Sequence, residues 1–364
     1  MNVLPPGLNR PWLFEAFPGL QKQLPWTPLV EAPTPVHRLE SISSQLGKEV
    51  WIKRDDKTSS EYGGNKPRKL EFLLGEALAQ NRKRVVTGGG VGTNHGLATT
   101  IFGKKLGLRV TLGLFDQPVT AHVRNNLLLY HAYGAEMKYA GSFLKAALRY
   151  YLVERIRQRS AYLVPPGGSS PLGTLGYVDA GLEFATQVQR EEVSLPQMIF
   201  VAAGTCGTMA GLVLGLRLSG LSTRVMGVQV APSAFANPKA VLRLARKSLK
   251  LMQRLDRSVP GVQLNLADFP IERGHYGPGY GHPTPACREA IQLMDESEEI
   301  FLDPTYTGKT FGALLAGVKS EPEEGPVLFW NTLSSVDLTP VAQGVDFRSL
   351  PAAFHHFFER TLVE

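Results

Sequence analysis

Lys66 follows two glycines and an asparagine in YGGNKPRKL, residues 62–70, where helical periodicity begins. A solvated lysine has a pKa of about 10.4 and is a poor nucleophile, but one held in a cleft at a helix N-terminus moves toward its neutral amine. Such an amine forms Schiff bases with carbonyl compounds. Taken alone, the segment also reads as a surface turn, because Arg68 and Lys69 follow at once. A second stretch changes the balance. MIFVAAGTCGTMAGLVLGL, residues 198–216, runs an apolar strand through Gly204, Thr205, Cys206, Gly207 and Thr208 into a helix of small residues. Consecutive N–H groups, two hydroxyls and the positive end of the helix dipole then face one spot, which suits a phosphate. The G-x-x-x-x-G-K-[ST] pattern of nucleoside triphosphate loops is absent, so a monophosphate fits better.

A third glycine cluster, RVVTGGGVGTNHG at 84–96, admits two ligands. From Gly90 it approaches the dinucleotide fingerprint, with Asp116 at the distance of a ribose-binding acid. That would make the chain a nicotinamide dehydrogenase, but it leaves Lys66 and the 204–208 loop without a task. The other reading has the glycines expose backbone N–H groups to a carboxylate.

These residues need elements to hold them. EVWI, RVVT, RVTLGLF, AYLV, MIFVAAG, RVMGVQV, EIFL and PVLFW read as strands. Between them, 67–80, 95–107, 174–190, 207–219 and 284–296 have helical periodicity. The alternation predicts an α/β fold of open, mostly parallel, twisted sheets with helices on both faces, and ligands at the carboxyl ends of strands. Glycine-rich crossings at 61–69 and 164–176 suggest two domains: a large one from 1–67 and 167–364, and an inserted smaller one, 68–166. The cleft between them would take the ligand.

Composition removes other classes. With 43% hydrophobic and 20% charged residues, the 364-residue chain is ordinary globular material. Its +7 charge is scattered, and its densest basic run, 238–257, carries Leu242, Ala245, Leu249, Met252 and Leu255 at helical spacing, as an amphipathic helix with a wet basic face. No nucleic-acid partner is expected. Two cysteines and eight histidines show no metal-ligand spacing. No apolar run reaches the 18 or more residues of a membrane span, and the N-terminus lacks the apolar core of a signal peptide, so a cytoplasmic protein is expected.

A lysine for an imine and a monophosphate cradle together suggest pyridoxal phosphate. The motifs WIKRDD, GGNKPRKLEFLLGEAL, GGGVGTNHGLATT, PPGGSSPLGTLGYVDAG, GTCGTMAGL, GPGYGHP and LDPTYTGKTFGAL occur in order over residues 34–332. In them the chain resembles the fold-type II pyridoxal-phosphate enzymes, in the branch of D-cysteine desulfhydrase and 1-aminocyclopropane-1-carboxylate (ACC) deaminase. The resemblance implies that Lys66 is the Schiff-base lysine and proton shuttle, and that Asn94 bonds the cofactor's phenolic oxygen. Gly204, Thr205, Cys206, Gly207 and Thr208 would hold the phosphate. Thr93, Asn94 and His95 would face the substrate carboxylate. Tyr280 would stand near the substrate, Tyr306 against the cofactor ring, and Thr307 and Thr332 near the pyridine nitrogen.

The chain departs from that family in several places. Thr93 replaces a usual serine, Cys206 a small residue, and Leu333 and Ser334 a pair of glycines; His282 is unexpected beside Tyr280. ACC deaminases carry a glutamate where this chain has Thr307. A hydroxyl cannot keep the ring nitrogen protonated, and this predicts β-elimination of a thiolate rather than opening of a cyclopropane. The implied activity is a lyase acting on a small amino acid, D-cysteine to pyruvate, sulfide and ammonia, in a homodimer. ACC deaminase and a non-catalytic pyridoxal-phosphate-binding protein are the alternatives.

Overall fold

The computed structural model describes residues 10–142, 161–320 and 325–363. Its strands are β1 (Val36–Arg38), β2 (Val50–Lys53), β3 (Arg84–Gly90), β4 (Arg109–Phe115), β5 (Glu136–Gly141), β6 (Ala161–Leu163), β7 (Met198–Ala203), β8 (Arg224–Gln229), β9 (Ile271–Glu272) and β10 (Val327–Trp330). They form a six-stranded sheet, β1-β2-β10-β7-β8-β9, and a four-stranded sheet, β5-β4-β3-β6. The pairings are parallel except that of β1 with β2. The helices are α1 (Trp12–Ala16), α2 (Pro18–Gln21), α3 (Glu40–Leu46), α4 (Lys66–Ala79), α5 (Asn94–Lys105), α6 (Ala121–Ala132), α7 (Pro171–Gln189), α8 (Gly207–Leu218), α9 (Pro238–Leu255), α10 (Pro285–Glu298), α11 (Thr307–Ser320), α12 (Thr339–Gln343) and α13 (His356–Glu359). None is long and apolar enough to cross a membrane among the described residues.

The larger sheet is covered on both faces, as parallel sheets must be. Ile199, Val201, Leu328 and Trp330 join one core with α7, α8 and α9. The alternate residues of the same strands, Met198, Phe200, Val327 and Phe329, join another with α10 and α11. The basic run is α9, with Leu242, Ala245, Leu249 and Met252 buried. EIFL, in contrast, forms no strand: Glu299 is left-handed at the end of α10 (φ 54°) and Phe301 is 67% exposed. Without a neighbouring strand its apolar pattern has no ladder to join. The mixed polarity of β5 and the shortness of β1 and β9 hide those strands from periodicity.

Helix α4 is a shared wall. Its Phe72 lies in the large sheet's core, whereas Leu70, Leu73, Leu74 and Ala77 lie in that of the small sheet, together with Leu338, Leu350, Phe354 and Phe357 from the C-terminal segment. Arg68 and Lys69 are 1% and 2% exposed, so the surface-turn reading of this segment fails. Arg68 bonds Asp55 and Glu183, each at 2.8 Å, in a buried network with Lys53. Helix α7 then ties α4 to α8. A Cβ at Gly176 would stand 1.9 Å from the Arg68 carbonyl oxygen, and one at Gly211 2.5 Å from that of Thr174, so only glycine permits these approaches.

Candidate active site

Three loops leave the carboxyl ends of β3, β7 and β10 and meet the start of α4 around a cavity of about 940 Å³. The turn before Lys66 is tightly held. A Cβ at Gly63 would lie 1.8 Å from the Asp56 carbonyl oxygen, and one at Gly64 (φ 87°) 2.7 Å from that of Thr332. The Gly63 N–H donates to Ser334 Oγ (2.9 Å) and the Asn65 N–H to the Thr332 carbonyl (3.1 Å). Ser334, a departure from the usual glycine, therefore anchors the turn. Lys66 lines the cavity, and its ammonium makes no hydrogen bond among the described residues. Burial lowers its pKa to about 8, against a smaller opposing pull from Asp303.

The 204–208 loop lies beside it. Asn65 Nδ2 donates to Thr208 Oγ1 at 3.0 Å, joining the lysine turn directly to the loop. Cys206 is left-handed (φ 68°), the conformation that explains why a small residue is usual there. Its Sγ is turned toward the Phe235 carbonyl (3.2 Å), and burial pushes the thiol up to about 11. Thr205 Oγ1 is 2.7 Å from Ser169 Oγ, which also accepts from the Gly207 N–H at 3.1 Å. A Cβ at Gly207 would stand 2.6 Å from Ser169 Oγ and 3.1 Å from Lys69 Nζ, so glycine keeps the mouth of the cradle open.

Ser169 and Lys69 are functional candidates that sequence reasoning missed. Lys69 is three residues after Lys66 on α4, hence on the same helical face, and that spacing was the available signal. Ser169 lies in the GGSS stretch, whose nearness to the loop only the fold reveals.

At the third loop, Thr93 caps α5, its Oγ1 accepting from the Gly96 N–H at 3.3 Å. Its methyl carbon would be 2.8 Å from a Cβ at Gly89 and 2.7 Å from one at Gly96. The glycines thus make room for side chains. Gly88, Gly89 and Gly90 belong to β3, paired with β4, and the Gly92 N–H donates to Gln117 Oε1 (3.1 Å). Of these glycines, Gly92 therefore has its N–H taken by Gln117, while Gly88 and Gly90 lie past the end of the β3–β6 pairing. Further donors at this loop are the first amides of α5 and the side chains of Asn94 and His95. His95 Nε2 is 3.1 Å from Thr87 Oγ1, and burial, then Lys66 and Lys69, hold the ring well below its ordinary pKa.

Tyr280 and Tyr306 bond each other through their hydroxyls and line the cavity. Burial raises the pKa of both, so both phenols keep their protons. Lys309 Nζ donates to the carbonyls of Tyr276 (2.6 Å) and Gly279 (3.3 Å), holding the loop that carries Tyr280. Thr332 also lines the cavity, but Gly207 and Thr307 do not. The Thr307 side chain instead lies behind Asp303. Its hydroxyl donates to Asp303 Oδ1 (2.6 Å) while accepting from the Asp303 N–H (2.8 Å), closing the start of α11. Asp303, unnoticed in the sequence, lines the cavity, with its carboxylate also bonded by the amides of Thr305, Tyr306 and Thr307, each at 2.9 Å.

The model of a family described as pyridoxal-phosphate dependent enzymes matches residues 28–332. The chain belongs to the pyridoxal-phosphate-dependent enzymes. It is 35% identical over 324 residues to a D-cysteine desulfhydrase of Salmonella newport (strain SL254), an alignment covering 85% of this chain and 94% of that relative. A solved ACC deaminase homologue shares 32% identity at a TM-score of 0.75, over 89% of this chain and 95% of that one. A threonine deaminase of T.th., at 21% identity and a TM-score of 0.59 over 90% and 98%, shares the fold. The residues present fit pyridoxal phosphate: one cavity offers a lysine of lowered pKa and, beside it, a glycine-floored helix N-terminus rimmed by hydroxyls and the buried Lys69 amine, whose pKa burial and then Lys66 hold well below the usual value.

Proposed function

We propose that this pyridoxal-phosphate enzyme is a carbon–sulfur lyase that converts D-cysteine and one water to pyruvate, hydrogen sulfide and ammonia. The observation that carries the reading is the convergence of Lys66 and the 204–208 loop on one cavity, with Asn65 bridging them. The relative named D-cysteine desulfhydrase supports the choice of substrate. When bound, the cofactor supplies the electron-accepting ring that makes the substrate's α-proton removable and a β-thiolate able to depart.

Lys66 would hold the cofactor through its amine and, once displaced by substrate, take the α-proton; a pKa of about 8 leaves part of it neutral at physiological pH. Thr205, Thr208, Ser169, Lys69 and the loop amides would bind the phosphate, and Asn94 the phenolic oxygen. Thr93 and His95, with the start of α5, would receive the substrate carboxylate. Of the two phenols at 280 and 306, one donates to the other, leaving one proton for a ligand. Thr332 offers the ring nitrogen a hydroxyl. Asp303, whose carboxylate is occupied by the start of α11, bounds the site as a fixed charge. A thiolate leaves readily, so a ring without a carboxylate partner suffices for it, and ACC is the discriminating control.

The proposal includes a homodimer in the cytoplasm and two units, 1–67 with 167–364 and 68–166, the cavity lying between them. In its support, the four strands of the small sheet fall within residues 84–163. The test incubates purified holoenzyme with D-cysteine, L-cysteine and ACC, and assays sulfide and keto acid. Sulfide and pyruvate from D-cysteine are expected, with no 2-oxobutyrate from ACC. Borohydride reduction and peptide mapping should place the pyridoxyl group on Lys66. A label on another lysine, or efficient turnover of ACC alone, would overturn the reading.

A further inference from the structure

The side chain of Asn94 is not free to choose its orientation. Its Oδ1 lies 2.7 Å from His122 Nε2 and 3.2 Å from Asn126 Nδ2. His122 and Asn126 are four residues apart on α6 and so project from one face of that helix. Asn126 Nδ2 also donates to the Gly92 carbonyl at 2.9 Å, and a carbonyl can only accept. That bond orients the Asn126 amide, directing its second hydrogen to Asn94, whose facing atom must then be the oxygen. An amide oxygen carries no proton, so the close contact with His122 requires the hydrogen on His122 Nε2. The same tautomer explains why Asn126 Nδ2, 3.1 Å from that nitrogen, gives its hydrogens elsewhere. Burial lowers the pKa of His122, despite opposing effects of Asp303 and the Gly92 backbone, which suits a neutral ring with one N–H.

Asn94 Oδ1 is thereby doubly bonded, and Asn94 Nδ2 makes no hydrogen bond among the described residues while its side chain lines the cavity. We infer that His122 is a positioning residue that locks the Asn94 amide with its N–H donors toward the cofactor's phenolic oxygen. His122 does not itself line the cavity. This inference rests on the proposed role of Asn94 and adds to it what fixes the amide. Without His122, one of two contacts would remain, and the amide could rotate to present its oxygen, an acceptor facing an acceptor.

The experiment titrates the visible absorption of the bound cofactor with pH in wild type, Asn94→Ala, His122→Ala and His122→Gln holoenzymes, alongside kcat and KM for D-cysteine. An N–H donated to the phenolic oxygen draws electron density from the neighbouring Schiff-base nitrogen, so losing it raises the pH at which the protonated, yellow form gives way. Asn94→Ala and His122→Ala should both shift this midpoint upward, by about one unit for a single hydrogen bond. In His122→Ala, kcat should fall while KM changes by less than about twofold, and His122→Gln, which restores an N–H of similar reach, should return both midpoint and kcat toward wild type. An Asn94→Ala shift with an unchanged His122→Ala midpoint would overturn the role of His122 alone. No shift in Asn94→Ala would overturn the reading of Asn94 and the inference with it. If His122→Ala retains no cofactor, restoration by His122→Gln supports the inference and failure of restoration overturns it.

Discussion

Lys66 is reactive because of where its neighbours put it. A wall of protein withdraws the ammonium from water, and Asp303 returns only part of what burial removes, giving a pKa of about 8. The neutral amine is the attacking form and predominates above that value. Covalent capture of pyridoxal phosphate by the apoprotein should therefore accelerate with rising pH and level off above about 8. Asp303→Asn removes the charge that favours the ammonium and should move this midpoint down. Following the growth of yellow colour after mixing across a pH series checks both statements. A wild-type midpoint near the solvated value of about 10.4 would mean that the amine stands in water.

Helices α4, α7 and α8 make the distance between lysine and cradle a matter of backbone packing. Gly211 lets α8 approach α7 so closely that a Cβ there would lie 2.5 Å from the Thr174 carbonyl oxygen, and neither backbone can yield without moving a helix. Gly211→Ala should destabilise the protein by about 1–3 kcal/mol through overpacking and weaken cofactor retention by shifting the 204–208 loop. Gly261→Ala, where a Cβ meets nothing within 4 Å, is the control. Thermal unfolding and the pyridoxal-phosphate dissociation constant should separate the two variants. Equal midpoints would show that the helices have room to spare. This close approach escapes periodicity, which marks α7 and α8 as helices without saying which face each presents.

Across the molecule, buried carboxylates tie the N-terminal segment to the helices. Glu71 Oε1 accepts from the Leu29 and Val30 amides at 2.9 and 3.1 Å, and Asp179 from the Leu13 amide at 2.8 Å. Burial, exceeding these bonds, raises Glu71 to about 8 and Asp179 to about 7. Both hold their protons more tightly when folded. Their contribution is complete at acidic pH, below the unfolded values of 4.5 and 3.8, and is lost as pH rises through about 7 to 8. Glu183 has the opposite sign: burial would raise it, but Arg68 and then Lys53 hold it at about 2, so its contribution is present above 4.5 and lost as pH falls toward 2. Glu71→Gln combined with Asp179→Asn should flatten the decline in stability between roughly pH 5 and 8. Urea unfolding at several pH values tests this, and equal slopes for variant and wild type would refute it.

The residues themselves determined the class of protein. Apolar runs alternating with helical segments admit little except a parallel α/β fold, because parallel strands need crossovers. Glycine beside lysine, and glycine beside threonine, mark places where backbone must come close to a ligand or to other backbone. Those signals are local, and they named Lys66 and the 204–208 loop; Asn94 was named by the family resemblance. Which atoms face one another is a long-range matter that tertiary structure alone decided. It brought Asn65 to Thr208 across 143 positions, turned Thr307 to Asp303, and filled the space over Gly89 and Gly96 with the Thr93 methyl. It also set His122 behind Asn94. A hydrogen bond is directional over less than an ångström, whereas sequence spacing specifies only which face of an element a residue occupies.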